Sequence, residues 1–159
     1  MSSELRVDKI IPTSGVPTNG GGGVIQVVSA STTTDFSTNS TSYVDITGLT
    51  VNITPKFSTS KIYVTMQGGR FGMYSNASYY SSVQLVRDST VLTYGSPSNR
   101  GSNSNGNATG QGALSFLDSP ATTSQITYKA QVKSSSSSGT VYPTNSGTGL
   151  TIVAMEISA

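Results

Sequence analysis

Seven carboxylates, Glu4, Asp8, Asp35, Asp45, Asp88, Asp118 and Glu156, are the groups best able to move protons in this chain, which has neither histidine nor cysteine. The usual general base, thiol nucleophile and transition-metal ligands are missing, and most hydrolase mechanisms, disulfides and thiolate metal sites go with them. Outside the N-terminal segment no two carboxylates lie close in sequence, so a glycosidase-like pair would have to be assembled by folding. Ser58 and Lys61 have the Ser-x-x-Lys spacing of some acyl-transferring enzymes, but they stand at the entry to a strand and not on a helix. Glycines 20–23 are followed by no Lys-Ser or Lys-Thr and precede a strand, which makes them a joint and not a phosphate cradle. The acids are too scattered for a calcium loop. No catalytic residue, cofactor or metal is expected.

Recognition chemistry is better represented. Between residues 68 and 81, Arg70, Phe71, Met73, Tyr74, Tyr79 and Tyr80 crowd among Gly, Ser and Asn. Tyrosine presented by small polar residues makes an adaptable binding surface, and flat aromatic faces suit sugar rings. The candidate ligand-binding residues are therefore Arg70, Tyr74, Tyr79 and Tyr80, with Arg100 from the Ser, Asn and Gly-rich stretch 95–112. The plainer alternative is that Phe71 and one or two of the tyrosines continue a strand into the core or an interface. The stretch 95–112 and the serine run that begins at Ser134 read as exposed loops. Sequons at Asn39, Asn52, Asn76 and Asn107 are what chance gives in so Asn- and Ser/Thr-rich a chain.

Residues 1–23 do not read like the start of the domain that follows. Leu5, Val7, Ile10 and Ile11 are set among Glu4, Arg6, Asp8 and Lys9, followed by Pro12, Pro17 and the glycine joint. Such a segment gains little by folding alone but can add a strand or a plug to another protein. It is expected to be an extended docking arm; a loose leader is the alternative.

The remaining residues, 24–159, suit one domain able to bury about two-thirds of its unfolded surface. Charged residues are 10% of the chain, well under the usual roughly 25%, so Ser, Thr, Asn and Gly must keep its surface wet. The net charge of +2 has no basic stripe behind it, which argues against nucleic acid. No apolar run approaches the roughly 18 residues of a membrane span, and polar residues follow Met1 where a signal peptide would need an apolar core. Short β-branched runs separated by Gly, Asn, Ser and Pro predict strands at 24–30, 43–46, 49–54, 61–67, 82–87, 91–94, 113–117, 125–133 and 150–157. Thr47-Gly48 and Asp88-Ser89 fall where tight or slightly bulged hairpin turns are expected. The fold class is all-β: an antiparallel β-sandwich, jelly-roll-like, with an extended N-terminal arm. In the last strand Leu150, Ile152 and Ala154 lie on one side and Thr151, Val153, Met155 and Ile157 on the other. A strand apolar on nearly both faces is expected against a subunit interface or under a long loop.

Three segments carry a resemblance: Ser-Glu-Leu-Arg-Val-Asp-Lys-Ile-Ile-Pro at 3–12 with the glycine joint, Tyr-Val-Asp-Ile-Thr-Gly-Leu-Thr-Val-Asn-Ile-Thr-Pro-Lys-Phe-Ser-Thr-Ser-Lys-Ile at 43–62, and Leu-Thr-Ile-Val-Ala-Met-Glu-Ile at 150–157. Together they resemble small fibre-like structural proteins of tailed bacteriophages, particularly those of marine bacteria. The resemblance implies a homotrimeric β-sandwich on the virion surface, assembled in the host cytoplasm. Leu5, Val7, Ile10 and Ile11 would anchor it to other virion proteins, and the loops from Gly68 and Gly95 would face outward. There is no long repetitive shaft, so a short fibre, head fibre or capsid decoration fits better than a full tail fibre. Two other functions are weighed against this one: a host-glycan adhesin using the Arg70 and tyrosine cluster, and a polysaccharide-degrading enzyme, which the missing histidine and carboxylate pair disfavour.

Overall fold

The computed structural model describes residues 23–74, 79–97 and 108–158, with Tyr74 and Ala108 described by their backbone alone. Ten strands run through these residues: β1 (Val24–Thr32), β2 (Phe36–Thr38), β3 (Val44–Ile53), β4 (Lys61–Tyr74), β5 (Ser81–Arg87), β6 (Thr90–Gly95), β7 (Ala108–Asp118), β8 (Ile126–Ser134), β9 (Thr140–Thr144) and β10 (Leu150–Ile157). No helix occurs among the described residues.

The pairings nest. β5 pairs with β6, β4 with β7, β3 with β8 and β1 with β10, all antiparallel. A long two-stranded ribbon closed at the β5–β6 turn is thus folded over itself. Its eight strands divide into sheet A, in the order β1-β10-β4-β7, and sheet B, in the order β3-β8-β5-β6. That nested ribbon over two sheets is the jelly roll expected from the sequence. The short β9 and β2 extend sheet A beyond the end of β10, with β9 pairing to residues 72–74 of β4.

The two sheets bury what alternation says they should. Ile62, Val64 and Met66 of β4, Tyr128, Ala130 and Val132 of β8, and Leu150, Ile152 and Ala154 of β10 are all essentially inaccessible. They meet Leu49, Val51, Ile53, Val83 and Leu85 in one core. Successive side chains of a strand point to opposite faces, so each strand presents its odd or its even residues to that core.

Two strands change parity midway, and glycine is the device. In β4 the register against β7 shifts between Gly68 and Phe71, where Gly68 and Gly69 have φ of +100° and +69°. Even-numbered residues face inward before this bulge; Phe71 and Met73 do so after it. In β3 the register against β8 shifts between Asp45 and Thr50, Gly48 has φ +83°, and the inward set passes from Ile46 to Leu49. Thr47-Gly48 is therefore a bulge inside one strand, a correction to the turn expected there. Asp88-Ser89 does form the tight turn, with Asp88 at φ +52° and its carboxylate accepting the Thr127 N–H at 3.0 Å. The supposed loop 95–112 includes residues 108–112 of β7. The serine run is likewise less exposed than expected: Ser134 is buried, and Ser134 Oγ donates to the Ser136 carbonyl at 2.7 Å.

Candidate functional site

Folding does bring two carboxylates into one row. Gln26, Glu156, Ile62 and Asp118 are in register across β1, β10, β4 and β7, and both acids are buried. Asp118 accepts two hydrogen bonds of 2.8 Å from Arg87, one of 2.6 Å from the Tyr128 hydroxyl and one of 2.8 Å from the Ser119 N–H. Because Arg87 and Tyr128 belong to sheet B, this carboxylate ties the two sheets together. Burial, and then the hydrogen bond to Asp118, push the Tyr128 hydroxyl far above its usual range. Glu156 accepts from the Gln26 amide and from the N–H groups of Lys56 and Phe57. Burial alone would raise its pKa, but those hydrogen bonds and the adjacent Ser60 hydroxyl hold it below the usual glutamate range. Both acids are occupied by hydrogen bonds from the protein itself and cap the end of the core. Lys61, of the Ser-x-x-Lys spacing, donates to Ser119 Oγ at 2.7 Å. Among the described residues no three acids cluster as metal ligands would.

The residues expected to bind a ligand are dispersed. Arg70 is exposed beside the β4 bulge, on the rim of a shallow depression of about 420 Å³ lined by Gly69, Thr109, Gly110, Gln111 and Thr148. A second depression of about 460 Å³ adjoins it at Gln111 and is floored by Gly68, Gly112 and Gly149. Glycine is required in this floor: a Cβ on Gly68 would lie 2.5 Å from the Gly149 carbonyl oxygen, and one on Gly69 2.6 Å from that of Pro143. Tyr79 packs half-buried against the core, close to Gly139 and Met73. Tyr80 turns the other way and is 45% exposed; its backbone N–H donates to Ser135 Oγ and its carbonyl accepts the Ser135 N–H, both at 2.9 Å. Phe71 is wholly in the core, as the alternative reading of this segment had it. Arg70 belongs to sheet A and Tyr80 leads into sheet B, so the structure does not gather them into one site. Tyr74 ends β4. Arg100 and the arm residues Leu5, Val7, Ile10 and Ile11 lie outside the described residues.

What the sequence reading only half saw is the outer face of sheet A. Val24, Ile157 and Lys61 form one row across it; Val27, Met155, Tyr63 and Leu117 form the next; Ser29, Val153, Thr65 and Ser115 a third; and Ser31, Thr151, Gln67 and Ala113 a fourth. Val24, Val27 and Leu117 are more than half exposed. Lys61 is the one charged residue in these four rows. The outward apolar residues of β10 thus continue across all four strands in the row Val27, Met155, Tyr63 and Leu117, while Ser, Thr and Gln dominate the two rows beyond it; an exposed apolar row of this kind is a candidate interaction surface.

No protein-family model matches the chain, and no curated protein matches it. Among solved structures it is similar to a subviral particle of infectious bursal disease virus VP2, at 12% identity and TM-score 0.41, covering 83% of this chain and 40% of that one. The structure of the Gt strain of the same virus matches at 12% identity and TM-score 0.40, over 99% of this chain and 46% of that chain. The insecticidal delta-endotoxin Cry8Ea1 of Bacillus thuringiensis matches at 19% identity and TM-score 0.32, over 77% of this chain and 19% of the toxin. The chain therefore spans less than half the length of the proteins it matches. Likenesses this distant, shared by a virus and a toxin, say nothing about what the chain does.

Proposed function

We propose that this chain is a non-enzymatic structural protein of a virus particle, docked through residues 1–23 and projecting a jelly-roll module that associates as a trimer through the outer face of sheet A. The observation that carries this reading is that uncharged face. Burying Val27, Tyr63, Leu117 and Met155 against another copy removes apolar surface from water without desolvating more than one charge per subunit. The resemblance of residues 3–12, 43–62 and 150–157 to phage fibre-like proteins supports placing the module on a virion, as a short fibre, head fibre or capsid decoration. The self-occupied buried carboxylates support a role without catalysis.

The test is made on particles of the virus that encodes the chain. Full-length protein is expected to sediment with purified particles, and protein lacking residues 2–19 to remain folded in the soluble fraction. Absence of the full-length chain from the particles, or normal incorporation of the truncated one, contradicts the reading.

A further inference from the structure

The outer face of sheet B is built differently from that of sheet A. Asp45, Gln131, Gln84 and Tyr94 are in register across β3, β8, β5 and β6, and the first three are joined by hydrogen bonds. The Gln84 amide donates to Gln131 Oε1 at 2.7 Å, the Gln131 amide to Asp45 Oδ1 at 2.6 Å, and Lys129 Nζ to Asp45 Oδ2 at 3.0 Å. At the end of this ladder Tyr94 is 75% exposed, more than any other large hydrophobic residue described. One row over, Lys133 stands 4.7 Å from the centroid of the Tyr43 ring and opposite Ser82. Tyr80 completes the group from the start of β5. The Tyr43 hydroxyl is raised above its usual pKa by burial, opposed by the Ser82 hydrogen bond, with Tyr80 and Tyr94 both adding to the rise.

We infer that this face is a binding platform for a neutral saccharide, with Tyr94 and Tyr80 as stacking rings and Gln131 and Asp45, ordered by the buried Gln84 amide, as the hydrogen-bonding floor. Flat, exposed phenol rings offer a surface on which the apolar face of a pyranose can lie. Amides offer the mixed donors and acceptors that sugar hydroxyls need, and here they are already ordered by one another, so little side-chain freedom remains to be lost on binding. Charge complementarity selects a neutral ligand. Burial would raise the pKa of Asp45, but hydrogen bonds from Gln131 and Lys129 keep it low, and Lys129 neutralises the resulting carboxylate. Lys133 keeps its charge over the Tyr43 ring, a single cation. The face thus has neither the basic stripe that nucleic acid requires nor the apolar row that crosses sheet A. The inference holds whether or not the chain is part of a virion, and it places saccharide recognition away from Arg70.

The intact chain is tested on a microbial glycan array and then by titration with the neutral glycans it retains. Binding to neutral glycans is expected. Tyr94→Ala and Tyr80→Ala should each weaken it about tenfold, the order of one aromatic contact, with the melting temperature unchanged, while Arg70→Ala binds as well as the parent. Retention on acidic glycans alone, no retention at all, or full affinity in both tyrosine variants overturns the inference.

Discussion

Glu156 continues the inward set Leu150, Ile152, Ala154 and is fully buried, so by position it should be apolar. It is a carboxylate because the chain between β3 and β4 has backbone N–H groups to satisfy, at Lys56 and Phe57, and Gln26 needs an acceptor at the end of β1. An uncapped buried N–H costs about as much as a lost hydrogen bond. The same bonds hold the Glu156 pKa below its unfolded value of about 4.3. A carboxylate whose folded pKa is depressed adds stability above its unfolded pKa, and that stability is lost as pH falls through the folded value. Glu156→Gln should cost on the order of 2 kcal/mol at pH 7, as expected when a buried charged acceptor is lost. Urea unfolding is expected to show that gap closing as pH falls from about 4.3 downward; a gap that stays constant to pH 2 would show that the charge of Glu156 does not matter. Asp118 is the second such exception, and neither acid was recognisable in sequence as a structural cap, because its partners are up to 130 residues distant.

The elements are shaped by bulges. Glycine at positive φ avoids the steric cost that a Cβ brings there, and in β4 this freedom coincides with close approach by the neighbouring carbonyls. Gly147 has φ +75° as well, yet an added Cβ there would meet nothing within 4 Å. Gly147→Ala should therefore cost only the conformational term, about 1 kcal/mol. Gly69→Ala must also displace the Pro143 carbonyl and should cost at least about 3 kcal/mol. Thermal unfolding of the two variants checks the order; equal losses would mean that the β4 bulge can relax. These bulges also explain what was legible. Strands that keep one parity, such as β8 and β10, could be read from alternation to within a residue or two. Alternation from Lys61 stops at Gln67 because the inward parity flips at the bulge, and alternation divides β3 in two at Gly48 for the same reason. The β2 and β9 strands escaped notice because Phe36–Thr38 is short and Thr140–Thr144 carries Pro143 after a serine run. The binding residues fared worse. Tyr79 packs against the core while Tyr80, adjacent in sequence, is exposed, whereas Tyr94 joins Gln84, Gln131 and Asp45 only through register.

At the scale of the whole molecule the two outer faces differ in character. Sheet A presents a flat, nearly uncharged surface and sheet B a polar, hydrogen-bonded one with tyrosines. A row such as Val27, Met155, Tyr63 and Leu117 is the surface that the proposed trimer would bury. The residues of this row come from four strands spread between positions 27 and 155, so only β10, apolar on both sides, betrayed the face in sequence. Burying it as proposed would leave sheet B outward, with Tyr94 open to a ligand. The most direct test is the mass in solution, by light scattering, of the parent chain and of Leu117→Asp. Leu117 is 54% exposed in the single chain, so a charge there spares the fold but must be desolvated in any interface. The expected result is about three times 16.4 kDa for the parent and a folded monomer for Leu117→Asp; a monomeric parent, or a variant that still forms the trimer, would show that sheet A is not the surface through which the molecule assembles.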